Sequence, residues 1–188
     1  TAVCGGGGSA LWTANKLEYN NILVVGVEKM VTTNSMKTTE EIMMAAERIY
    51  EQAEGMNFPA QNALVAQQYM LKYGATSDDL ALVALKNHQN ACLNPKARFY
   101  KKEVTLKQIK KSPIVASPLR LFDCSLSANG AAAAILTKEK TDIKLAGSSL
   151  CVDRLPSFES KDMASWEASV KAAEEAYAQA GISPNDID

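Results

Sequence analysis

Cys4 is followed by four glycines, Gly5, Gly6, Gly7 and Gly8, and then by residues 9–17, whose apolar positions suit a short helix. A nucleophilic cysteine needs this order. A helix N-terminus exposes unpaired N–H groups and a partial positive charge, and these favour the thiolate, the form of cysteine that attacks. Glycines let backbone approach a ligand closely and present N–H donors to a developing oxyanion. Such a turn suits acyl transfer through a thioester. The local sequence also admits a plainer reading, a buried structural cysteine beside a flexible tail.

The other candidate groups carry less. Cys92, Cys124 and Cys151 form no CxxC pair with each other or with Cys4, so the spacing suggests neither zinc nor a redox dithiol, and no metal is expected. The single histidine, His88, excludes by count a site built from several histidines. It falls inside a predicted helix and reads as a packing or surface residue, with Cys92 one turn later facing the core. Cys124 and Cys151 lie where strands are expected and read as packed thiols. Residues 96–111 carry Lys96, Arg98, Lys101, Lys102, Lys107, Lys110 and Lys111, opposed only by Glu103. Such a stretch is either a solvated connector or a phosphate contact.

The elements that position these residues follow from local signals. Residues 21–27 form a short β-branched run and read as a buried strand. Thr38 and Glu41 suggest a capping box that opens a helix over 42–52. Pro59 suits the first turn of a second helix, and Gly74 ends it. Thr76 or Ser77 caps a third, which stops before Pro95. These three helices contain no convincing strand and read as a helical insertion. Residues 131–137 and 142–151 read as two further strands, the first of them buried. Asp162 or Ser165 caps a last helix over 166–180, closed by Gly181. Strands alternating with helices imply an α/β fold.

The segment Val24-Val25-Gly26-Val27-Glu28-Lys29-Met30, placed after a Cys-Gly-rich helix start, resembles the thiolase superfamily. Asn87-His88-Gln89-Asn90-Ala91 with Asn94-Pro95 is similar to the branch holding the sterol-carrier-protein-type and archaeal thiolases. So are Ser117-Pro118-Leu119-Arg120-Leu121-Phe122-Asp123-Cys124 and Asn129-Gly130-Ala131-Ala132-Ala133. The resemblance implies a partial thiolase-like fold, layered α-β-α with a helical loop-domain insertion. Residues 1–27 would end the first thiolase half, and 28–124 would form the loop domain. Residues 125–140 would return to the first half, and 141–188 would begin the second.

The same resemblance implies Cys4 as catalytic nucleophile and Ser125 as a residue near the pantetheine arm of coenzyme A. It turns the phosphate reading of residues 96–111 toward coenzyme A. The implied activity is acyl-CoA acyltransfer, with acyl-CoA as substrate and no further cofactor. A non-catalytic CoA-binding or scaffold subunit is the alternative, and a decarboxylating condensing enzyme a third. Gly5 and Gly6 depart from the small polar residue usual after the family's nucleophile, and Asn129 stands in place of an aspartate. The family's Gly-His-Pro, Cys-x-Gly and oxyanion-site motifs are not in the sequence, so the chain alone is expected to turn over poorly. Thr1 in place of Met suggests a fragment, and a second polypeptide could supply the other half.

With 188 residues, 47% hydrophobic and 22% charged, composition is ordinary for a globular protein. The net charge of −1 supplies no field for nucleic acid. The longest strictly apolar run, residues 131–136, is too short to span a membrane. A cytoplasmic location is expected, or a peroxisomal or mitochondrial one in a eukaryote. Residues 22–27 form an apolar strand that would risk exposure, so self-association as a dimer or tetramer is expected.

Overall fold

Side-chain caps at three helix starts, and a left-handed glycine at two helix ends, set out much of the secondary structure in a computed structural model that describes residues 3–31 and 35–187. Two compact units emerge. The first draws on Thr1–Ser35, Ser127–Arg154 and Ser165–Asp188, and the second on Met36–Leu126 and Leu155–Ala164. Both helices and strands are present, and the fold is α/β.

In the first unit a 3₁₀ turn, Val3–Gly5, leads into helix α1, Gly6–Asn15, which packs on strand β1, Asn21–Glu28. Strand β4, Gly130–Thr137, pairs antiparallel with β1 along its whole length, Asn21 opposite Thr137 and Glu28 opposite Gly130. On β1 the half-buried positions Ile22, Val24 and Gly26 alternate with exposed Leu23, Val25 and Val27. That is the period-2 pattern of a strand covered on one face. Helix α6, Glu167–Ala180, ends at Gly181, which adopts the left-handed conformation at φ 70°. Residues 147–149 lie along α6. Ser148 N–H donates to Gln179 Oε1 at 3.0 Å, and Ser149 Oγ donates to Glu175. A Cβ at Gly147 would run into the Ala176 carbonyl, so only glycine fits this approach.

The second unit is mostly helical. Helix α2 covers Ser35–Met43, and a π-type turn follows at Arg48–Gln52. Helix α3, Phe58–Tyr73, starts at Asn57, whose Oδ1 accepts from Ala60 N–H, and ends at Gly74 with φ 69°. Helix α4, Ser77–Leu93, opens with a reciprocal capping box between Thr76 and Asp79. Helix α5, Leu106–Lys111, opens with a second box between Thr105 and Gln108. Strands β2, Ile114–Ala116, and β3, Leu119–Arg120, form a small antiparallel pair. The core joins Ala81 and Ala84 of α4 to Ile109 of α5, which is 0% exposed, with Leu85, Val104, Leu106 and Phe122 packed around them.

Several expectations need correction. Thr38 does not open a helix: it lies buried inside α2, which begins at Ser35. The helix expected over 42–52 breaks, because Glu47 is extended and its carboxylate accepts from Ile49 N–H and Tyr50 N–H. These two donors also hold the Glu47 carboxyl below its usual range. Helix α6 takes no cap from Asp162 or Ser165; Ala168 N–H donates to Asp153 Oδ2 instead. Residues 142–151 carry no ladder among the described residues, because no neighbouring strand satisfies their backbone. Strands β1 and β4 are not buried strands. Among the described residues each has one strand partner, which leaves most of β4 and one face of β1 exposed.

Candidate active site

The Cys4 side chain sits on the 3₁₀ turn that feeds α1, exposed and in no disulfide among the described residues. Gly5 occupies the N-cap position with φ −82° and ψ 6°, and no side chain caps the helix. The first turn of α1 also lacks an acidic residue. Its leading N–H groups therefore have no side-chain acceptor beside the thiol, and the positive helix end is not neutralised. Cβ atoms built on Gly6, Gly7 and Gly8 would meet nothing within 4 Å. Packing within the described residues does not require these glycines, and the surface they present is open to a ligand.

Two hydroxyls brace the helix from within. Ser9 Oγ donates to the Gly5 carbonyl at 3.0 Å, and Thr13 Oγ1 donates to the Ser9 carbonyl at 2.8 Å. The first bond ties the turn that follows Cys4 to the body of α1. Ala14 is buried, and α1 lies against β1. The sheet is pinned at its far end: Asn129 Oδ1 accepts from Val31 N–H at 2.8 Å, just before β4 begins. Sequence reasoning registered Asn129 only as a departure from aspartate and missed this link, which spans distant parts of the chain.

The remaining candidates lie in the second unit or away from the turn. Ser125 is exposed in the irregular stretch after a 3₁₀ turn at Leu121–Asp123. It belongs to the second unit and Cys4 to the first, so neither compact unit contains both. His88 sits on α4 with its ring edge-on to Phe99 and Phe122, at centroid distances of 4.5 and 5.2 Å. Its Nδ1 is buried with no hydrogen-bond partner among the described residues, and aromatic rings rather than a reacting group lie against it. Burial pushes the Cys124 thiol up, and the Asp123 carboxylate beside it adds to the shift, so this thiol resists ionisation. Among the described residues no hydrogen bond reaches Cys4 Sγ, and no cluster of side chains could hold a metal.

The basic stretch divides once folded. Lys110 Nζ pairs with Asp78 Oδ2 at 2.7 Å, and Lys101 Nζ lies over the Tyr100 ring. Lys107 and Lys111 instead border a groove of about 380 Å³ with Gln108, Ser112, Pro113, Leu121 and Phe122.

Comparison with known proteins adds four relations. Residues 1–140 match the family model for the thiolase N-terminal domain. An acetyl-CoA acetyltransferase from Methanothermobacter thermautotrophicus is 37% identical; the match covers 100% of this chain and 51% of that protein. Sterol carrier protein 2 from Gallus gallus is 29% identical over 98% of this chain and 38% of its own length. The chain thus spans about half the length, or less, of the curated relatives it matches. Among solved structures, the Ltp2-ChsH2(DUF35) aldolase superposes with a TM-score of 0.73 at 23% identity, over 96% of this chain and 51% of that one.

Proposed function

The chain belongs to the thiolase family, and from that premise we propose that it is the nucleophile-bearing portion of an acyl-CoA acyltransferase in which Cys4 carries the acyl group as a thioester. One observation supports this most: an exposed thiol on the uncapped, glycine-opened turn before α1, within the region matched by the thiolase N-terminal domain.

In the degradative direction, Cys4 Sγ attacks the 3-keto carbon of a 3-ketoacyl-CoA. The bond between the keto carbon and the α-carbon breaks, and the leaving acetyl-CoA carbanion takes a proton from an acid. The thiolate of coenzyme A then attacks the acyl-Cys4 thioester, forms the shortened acyl-CoA and returns Cys4 as thiolate. Condensation of two acetyl-CoA molecules is the same path reversed. Uncapped N–H groups at the head of α1 can stabilise the oxyanion of each tetrahedral intermediate. Neither direction needs a metal or redox step.

The reading includes Ser125 beside the pantetheine arm, residues 28–124 as the loop domain, a homo-oligomer and a cytoplasmic setting. No helix among the described residues is long and apolar enough to cross a membrane. A partner polypeptide belongs to the proposal too, since the name of the Ltp2-ChsH2(DUF35) aldolase joins two components.

A second reading, a CoA-binding scaffold without turnover, has its own support. No base is hydrogen-bonded to Cys4 among the described residues, and the only histidine packs between two phenylalanines in the other unit. Thiolysis of acetoacetyl-CoA, followed by absorbance, separates the two. The chain is assayed alone and within a polypeptide of its relatives' full length. The enzyme reading expects the longer protein to turn over, Cys4→Ala to abolish turnover, and the chain alone to be slower by about 100- to 10,000-fold for want of a general acid/base. An inactive full-length protein that still binds coenzyme A would establish the scaffold.

A further inference from the structure

We propose that the groove between α5 and the β2–β3 segment binds a small amphipathic anion, an aromatic or alkyl body bearing one phosphate, sulfonate or carboxylate. The inference rests on the groove alone and stands independently of the thioester reading.

The groove has two chemically distinct sides. Pro113, Leu121 and Phe122 supply an apolar wall, and Leu121 is 51% exposed there although it is a large hydrophobic side chain. Lys107 and Lys111 face it from one side of α5, one helical turn apart. The three lysines of this helix are treated differently. Lys110 is taken by Asp78, whereas Lys107 and Lys111 have no ion pair among the described residues. Two free ammonium groups beside an apolar wall match a ligand that is anionic at one end and apolar at the other. The volume of about 380 Å³ lies in the usual range for small-molecule sites.

The frame around the groove is fixed before any ligand arrives. Gln108 is committed to its capping box, with Oε1 accepting from Thr105 N–H at 2.8 Å. Ser112 is buried, donates through Oγ to the Ile109 carbonyl, and accepts from Arg120 Nη1 through its own carbonyl at 2.8 Å. Leu121 N–H donates to the Pro113 carbonyl at 2.9 Å, which holds the two sides of the apolar wall together. Ile109 anchors the helix that carries both lysines. Binding therefore needs only the two lysine side chains to order, which limits its entropic cost.

The test uses anilinonaphthalene sulfonate as probe, with uncharged phenylnaphthylamine as its neutral counterpart, on the full chain. Fluorescence titration should give one saturable site, and amide shifts in nitrogen-15 NMR should map it to Lys107, Lys111, Leu121 and Phe122. Lys107→Gln with Lys111→Gln should weaken the sulfonate at least tenfold and leave the neutral probe unchanged. Leu121→Asp should weaken both probes, while Lys86→Gln, elsewhere on the same unit, should change neither. Phenyl phosphate and coenzyme A serve as competitors. Displacement by phenyl phosphate identifies the small single anion as the ligand class, whereas displacement by coenzyme A alone would assign the groove to that larger polyphosphate ligand and overturn the proposal. A sulfonate affinity indifferent to both lysines, shifts mapping to the exposed face of β1, or failure of both competitors would overturn the proposal.

Discussion

Ile109→Ala should loosen the entire second unit. Ile109 is the one fully buried large side chain among the described residues, and it joins α5 to Ala81 and Ala84 on α4. The substitution removes about three buried carbons, worth roughly 0.8 kcal/mol each in transfer alone. A cavity term adds to this, because Ala81 and Ala84 on the α4 side are too short to move into the space and the surrounding Leu85, Val104, Leu106 and Phe122 can fill it only in part. The expected loss is about 3–4 kcal/mol, toward the upper part of the roughly 2–5 kcal/mol seen for such truncations. Urea unfolding followed by far-ultraviolet circular dichroism measures it as a lower midpoint at unchanged slope. Ile109→Val should cost only about 0.5–1.5 kcal/mol. A loss below about 1 kcal/mol for the alanine variant would refute the claim that this small cluster organises α4 and α5.

Three further outcomes follow from the structure. Thr76→Ala removes the hydroxyl that accepts from Asp79 N–H and should destabilise α4 by about 1 kcal/mol, read from the same urea transition. Asn129→Ala breaks the bond to Val31 N–H and should cost about 0.5–1.5 kcal/mol, with faster amide exchange at Val31 as the local readout. The pairing of Lys72 with Asp162 is pH-dependent at both ends. The hydrogen bond from Lys72 lowers the Asp162 carboxyl, so its contribution is lost as pH falls through that depressed value. The same bond raises the Lys72 ammonium, so its contribution disappears as pH rises above the ordinary lysine range. Proteolysis within residues 155–164 should therefore accelerate at both extremes in the native chain and lose that dependence in Asp162→Asn.

Signals contained in a few neighbouring residues were legible in the sequence. Pro59 and Gly74 bound α3, Thr76 caps α4, Gly181 ends α6, and the Cys4 turn opens α1. Each is decided by backbone geometry and a hydrogen bond closed within one helical turn. Features that depend on distant partners were not legible. Residues 142–151 have strand-like composition, but a ladder needs a neighbour, and composition names none. The cap of α6 comes from Asp153, and the brace on Val31 comes from Asn129; both cross between separate elements. The pairing of Lys107 with Lys111 at helical spacing was present to be read. It acquires meaning only once Leu121 and Phe122 fold against the same helix.

The central claim, that Cys4 is the acyl carrier, is tested most directly by incubating the chain with acetyl-CoA and locating the acetyl group by peptide mass spectrometry. The account predicts a single acetyl group on the peptide containing Cys4, released by hydroxylamine as a thioester should be, transferred back to added coenzyme A, and absent in Cys4→Ala. Acetylation confined to Cys92, Cys124, Cys151 or lysine, with Cys4 unmodified yet open to iodoacetamide, would contradict it.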